Sequence, residues 1–228
     1  MFTPYDWQEG IGNRASYIEG KLSQGAPVLA VSLDEGILVF TYRRTARKIY
    51  EIYDRLIFGA IGQQSDIEAM RTAALEFAHS EGFNRSEQDV TVQRVVTALS
   101  GPIKKAFNDF STAPLVARSL FAEVNERPED DVYYTLDYDG DYAIGRQFAV
   151  VSGTIESAEA LRAGLAEIDA ATKPAKALEA LRKIWSQAVE TGADAGEERS
   201  QQTSDEAVLL ERSGERENRF RLLTEERF

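Results

Sequence analysis

Cysteine is absent from the 228 residues, and histidine occurs once, as His79. Disulfides, thiol nucleophiles and cysteine-built zinc sites are thereby excluded, as is any metal site that needs several imidazoles. A histidine-bridged triad would have to use that one residue. No apolar run approaches the roughly 20 residues of a membrane span. The start, Met1-Phe2-Thr3-Pro4-Tyr5-Asp6, lacks the basic stretch and apolar run of a secretory signal. The expectation is a cytoplasmic protein with no membrane partner. Cations are also scarce: 26 lysines and arginines stand against 38 aspartates and glutamates, for a formal charge of −12. Nucleic acid, which needs clustered cations, is not an expected partner.

Hydrophobic residues make up 43% of the chain, enough for a sizeable core in one large domain or two small ones. Residues 4 to 24 read as a polar start and one helix, with an apolar stripe at Tyr17, Ile18 and Leu22 and with Gly25 ending it. Two apolar β runs follow, Pro27 to Leu33 and Ile37 to Tyr42, separated by Asp34-Glu35-Gly36. A second pair covers Lys48 to Tyr53 and Leu56 to Gly62. Ser65, with Glu68 three residues on, reads as the capping box of a helix ending near Gly82. A longer helical pattern runs from Thr91 to about Phe110, with a kink expected at Gly101-Pro102.

Strands are expected over Leu115 to Val124, Val132 to Tyr138 and Tyr142 to Ser152, with Asp139-Gly140 as a hairpin turn. Helices follow over Glu156 to Ile168 and, with Pro174 at its start, to Glu190. The pattern of Leu161, Leu165 and Ile168 with Leu178, Leu181 and Trp185 is core packing, and no cofactor is expected. Residues 191–205 read as an acidic loop, and 206–228 as an edge hairpin and tail. Blocks of strands separated by pairs of helices do not fit alternating βαβ units. They fit an α+β, four-layer αββα sandwich forming a single domain over 1–228.

That order resembles the N-terminal-nucleophile hydrolase fold of 20S proteasome subunits. Gly25 ahead of a β run and Gly36-Ile37-Leu38-Val39 resemble its opening. Arg47-Lys48-Ile49-Tyr50-Glu51-Ile52-Tyr53-Asp54-Arg55-Leu56 is similar to its lysine strand and the turn after it. Tyr53-Asp54-Arg55, Gly62-Gln63, Arg71, Phe77-Ala78, Glu81-Gly82-Phe83, Asp89-Val90-Thr91, Tyr138-Asp139-Gly140 and Gly153-Thr154 extend the likeness to actinobacterial α subunits over roughly residues 17 to 189.

The resemblance implies where chemistry would sit. Catalytic members use an N-terminal threonine whose own amine assists as base, together with an acidic residue and a lysine. Here the threonine's place is held by Ala26, followed by Pro27, and the acidic place falls near Tyr42. Lys48 alone is kept. The helix ahead of the first strand is also an α-type feature. The expectation is a non-catalytic α subunit in an outer heptameric ring. Its partners would be neighbouring α subunits, β subunits and a hexameric ATPase activator that docks through C-terminal tails. Lys48 would pair with a tail carboxylate, and Gly25 would shape that pocket by admitting a close backbone. Thr3, Pro4, Tyr5 and Asp6 would belong to the gate. Glu19 stands where α subunits often carry arginine.

The competing reading is a self-compartmentalised peptidase with an N-terminal threonine, for which Thr3 is the one candidate near the start. A third is a scaffold that keeps the fold alone. Lys48 also reads as a solvated strand-edge residue, and His79 as a helix histidine. Glu129-Asp130-Asp131 and Asp137-Asp139-Asp141 could attract a cation, but they lack the spacing of a calcium loop and read as solvated turns. No metal is expected.

Overall fold

The computed structural model describes residues 4–191, 204–214 and 218–223. Thr3 and residues 192–203 of the expected acidic loop lie outside them. In chain order the elements are α1 (Pro4–Leu22), β1 (Val28–Leu33), β2 (Gly36–Arg43), β3 (Ile49–Tyr53), β4 (Leu56–Gly62), α2 (Gln64–Asn84) and α3 (Val92–Asn108). Then come β5 (Ala117–Glu123), β6 (Val132–Leu136), β7 (Tyr142–Gly145), β8 (Phe148–Val151), α4 (Ile155–Leu165), α5 (Pro174–Thr191), β9 (Ser204–Glu211) and β10 (Phe220–Leu222).

The strands form two antiparallel sheets, ordered β10-β9-β2-β1-β8 and β3-β4-β5-β6-β7. Period-two alternation decides the layering. In β1, Val28 and Ala30 point into the space between the sheets, whereas Leu29, Val31 and Leu33 point at α4 and α5. In β4, Ile57 and Ile61 meet them across that space, and Leu56, Phe58 and Ala60 face α2 and α3. Both faces of the central strands are thus apolar, which is why their sequences read as nearly continuous hydrophobic runs. The result is the expected αββα sandwich. Among the described residues, no helix is long and apolar enough to cross a membrane.

Several local expectations are corrected. The run from Tyr142 to Ser152 is two strands in different sheets: β7 pairs with β6 and β8 with β1. Gln147, at φ 67, turns the chain between them. The α2 helix starts at Gln64, with Gln63 rather than Ser65 at the cap position and no side-chain cap. Glu68 is engaged instead by Arg71 and the Tyr50 hydroxyl. The α3 helix ends at Asn108, two residues before the expected Phe110, with Pro102 inside it. In the last strand pair β9 lies between β2 and β10, its Ala207 to Leu210 fully buried, and β10 forms the rim of the sheet. Ser204 and Asp205, expected in the loop, open β9.

One further feature positions the site. The last turns of α1 lie across one end of the sandwich. Ile18 and Leu22 are fully buried in the layer between the sheets, packed with Val28, Ile61 and Val116. A side chain on Gly153 would strike the Leu22 carbonyl at 2.1 Å, so α1 sits directly on the backbone beyond β8.

Candidate functional site

The end of the sandwich that α1 covers is where β1 begins, and there Lys48 meets Ala26. Lys48 immediately precedes β3, whose first residue, Ile49, is buried between the sheets. Its Nζ donates to the Ala26 carbonyl at 2.9 Å. Burial pushes its ammonium down to about 8; Glu206 opposes that shift and the nearby Arg44 adds to it. The lysine is therefore neither a solvated rim residue nor a permanently charged one.

Glu206 on β9, only 2% exposed, organises this corner. Its carboxylate accepts the backbone N–H of Lys48 at 3.0 Å and of Ile49 at 3.4 Å, and Arg43 approaches it at 3.9 Å. Burial raises its pKa, while those two amides and the neighbouring arginines pull the other way. Glu206→Ala would leave two amides without their acceptor and remove the anion nearest Lys48. The expected cost is about 2–4 kcal/mol, read as a lower thermal midpoint, with the Lys48 ammonium titrating lower still.

Among the described residues, the groups that face this corner are already engaged or carry no hydroxyl. Ala26 has a methyl group, and the Pro27 carbonyl is occupied by the Thr41 hydroxyl at 2.7 Å. Tyr42, at the acidic partner's expected place, stacks against Trp185 with ring centroids 4.4 Å apart. Burial, then Asp205, raises its phenol above the usual range.

Gly25 sits beside this corner, but not as a left-handed helix terminator: the positive-φ glycines are Gly36, Gly62 and Gly140. Gly25 donates to the Leu22 carbonyl, and a Cβ there would press on Ile61 at 3.1 Å. It is a close-packing glycine between the end of α1 and β4. Of the residues expected at the gate, Pro4, Tyr5 and Asp6 form the first turn of α1, at the end remote from Gly25. Tyr5 is 82% exposed.

Glu19 also finds a role that its position alone did not suggest. Its carboxylate accepts from Arg118 of β5 at 2.8 Å and from the Tyr138 hydroxyl at 3.0 Å. Arg118 binds Asp137 and the Ser152 carbonyl as well. The anion on α1 is thus paired with a cation on the sheet beneath it. Neither Arg118 nor Glu206 was singled out by the sequence; Glu206 lies 158 residues from Lys48 in the chain. His79 is exposed on α2 and meets the Tyr53 ring edge-on. In the first acidic cluster Asp131 is held by Arg212 and Asp130 and Glu129 by Arg127; in the second, Asp137 is held by Arg118.

Comparison with known proteins agrees with this geometry. The proteasome subunit family model matches residues 23–200. A proteasome subunit alpha of Xylanimonas cellulosilytica is 32% identical over 146 residues, covering 63% of this chain and 59% of that protein. Those of Thermobifida fusca and Frankia casuarinae are 31% and 30% identical, covering 68% and 65% of this chain and 61% and 62% of their own lengths. The chain therefore spans about three fifths of the relatives it matches. With a family model covering more than half of it and alpha subunits among its relatives, this chain belongs to the proteasome subunit family and resembles the actinobacterial α type.

Proposed function

We propose that the chain is a non-catalytic α subunit of a bacterial proteasome core particle in the cytoplasm. It would form the outer heptameric ring above β subunits, gate the passage of substrates through its first residues, and dock an ATPase activator at Lys48 and Gly25. The observation that carries this reading is the state of the corner where a catalytic member keeps its nucleophile. Ala26 stands there, its carbonyl takes the Lys48 ammonium, and Ile18 and Leu22 of α1 fill the layer behind it. Among the described residues, the nucleophile's place is thus held by a methyl group, with apolar side chains packed behind it. The same arrangement leaves Lys48 as a partly dry cation beside a close-packed glycine, suited to a charge-assisted bond with a tail carboxylate.

The test compares the purified chain with its complex with a β-type chain bearing the threonine. The chain alone should hydrolyse no peptide and take up no threonine-directed covalent inhibitor, whereas the complex should do both. Removing residues 1–12 should raise basal peptide hydrolysis of the complex several-fold. Labelling of the isolated chain by the inhibitor would support the self-compartmentalised peptidase instead. An unchanged basal rate after the truncation would count against gating.

A further inference from the structure

Lys48 stands apart from the other lysines of the chain. Lys21, Lys104, Lys105, Lys173, Lys176 and Lys183 are exposed, whereas Lys48 is partly buried. Among the described residues its Nζ donates to one group, the neutral Ala26 carbonyl at 2.9 Å. Glu206, the anion packed beside it, is spent on the backbone N–H groups of Lys48 and Ile49 and on Arg43. Burial therefore lowers the ammonium to about 8, with Glu206 opposing the shift and Arg44 adding to it. At pH 7.5 about a quarter of such amines carry a free lone pair, against about one in a thousand for an ordinary lysine. Desolvation beside another cation is how a lysine becomes a nucleophile near neutral pH.

The approach to this amine is cationic. Three of the five residues before it are arginines, Arg43, Arg44 and Arg47, and Arg44 is exposed. Arg43 is turned partly inward, donating to the Thr45 carbonyl at 2.7 Å. In a chain of formal charge −12 this is a local reversal of sign, and it raises the concentration of small anions at this corner.

Resting on the docking reading, we propose that Lys48 is also an acylation site, which takes an acyl group from small anionic donors of the acyl phosphate class and thereby switches activator docking off. The neutral Nζ attacks the acyl carbon and an N–C bond forms. The C–O bond to phosphate breaks, phosphate departs with the electron pair, and the amine's surplus proton passes to water. The product amide keeps one N–H that can donate to the Ala26 carbonyl, but it carries no charge to offer a tail carboxylate.

The test treats the full chain, alone and assembled with the β-type chain, with acetyl phosphate at pH 7.5 and follows each lysine by peptide mass measurement. Lys48 should react about tenfold faster than the median of the other six, at a rate that rises with pH and levels off above about 8. Arg44→Gln, at an exposed position, should slow acetyl phosphate at Lys48 by about threefold and slow the uncharged donor p-nitrophenyl acetate less. Activator stimulation should fall in step with acetylation of Lys48, and the same treatment should change nothing further in Lys48→Ala particles. Acetylation of Lys48 no faster than that median, or equal slowing of both donors by Arg44→Gln, would overturn the proposal and leave the docking reading intact. Full acetylation of Lys48 with undiminished stimulation would overturn the switch, and the docking reading falls with it if Lys48→Ala is equally well stimulated. The ranking of the lysines is read on the wild-type chain, so it stands whatever the stability of the variants.

Discussion

Asp131→Ala should cost the fold about 3–5 kcal/mol, the range for removing one partner of a buried ion pair. Asp131 is fully buried, and the Arg212 side chain is 10% exposed. The guanidinium meets both carboxylate oxygens, at 2.7 and 2.9 Å, and also donates to the Leu33, Asn125 and Asp34 carbonyls. The carboxylate in turn accepts the Asn125 amide at 2.9 Å. This one pair ties the end of β9 to the β1–β2 turn and to the loop before β6, thereby joining the two sheets at the end opposite α1. Without the carboxylate, a buried cation keeps only neutral acceptors. Urea unfolding should show the loss with little change in slope, and the thermal midpoint should fall by about 10 °C. Replacing both residues, by Leu at 131 and Met at 212, should cost much less, because no unpaired charge is left behind. A single substitution costing under about 1 kcal/mol would show that the pair is not the clasp described.

Lys48→Ala should leave assembly and basal peptide hydrolysis unchanged and reduce stimulation by the ATPase activator by about tenfold or more, as expected when a partly desolvated charge pair loses its cation. Lys48→Arg should not rescue it, because the larger planar head cannot take the Ala26 carbonyl in the same space. The pH dependence carries the sign. An ammonium lowered to about 8 is charged at pH 7 and largely neutral at pH 9. Activator stimulation should therefore fall as pH rises through that range, in the wild type only. Folding responds in the other direction. The unfolded chain holds this proton up to about 10.5, so protonation of Lys48 opposes folding below about pH 8 and is progressively relieved above it. Equal stimulation of mutant and wild-type particles would remove Lys48 from the docking site.

The layer architecture was legible from the order of elements, blocks of strands separated by pairs of helices, and the near-continuous apolar runs of β1 and β2 fit strands covered on both faces. The helices were legible from their spacing of buried residues, such as Val92, Val95, Val96, Leu99 and Ile103 along α3. What escaped was anything decided by a backbone turn without a turn residue. Gln147 takes a left-handed conformation that no glycine or asparagine announces, and so two strands looked like one. The same holds at the site. The resemblance to proteasome subunits singled out Ala26 and Lys48, but Glu206 comes from the far end of the chain. It is one carboxylate among many until β9 pairs with β2 and brings Glu206 opposite Thr41.

The switch of strands at Arg146 and Gln147 has a mechanical consequence. A pull on β7 passes through two residues into β8, and β8 is hydrogen-bonded along β1 as far as the Val28–Val151 pair. Val28 is two residues from the carbonyl that holds Lys48. A displacement at the flank of one subunit would thus travel, by covalent bonds and a single ladder, to the very lysine on which docking is proposed to depend.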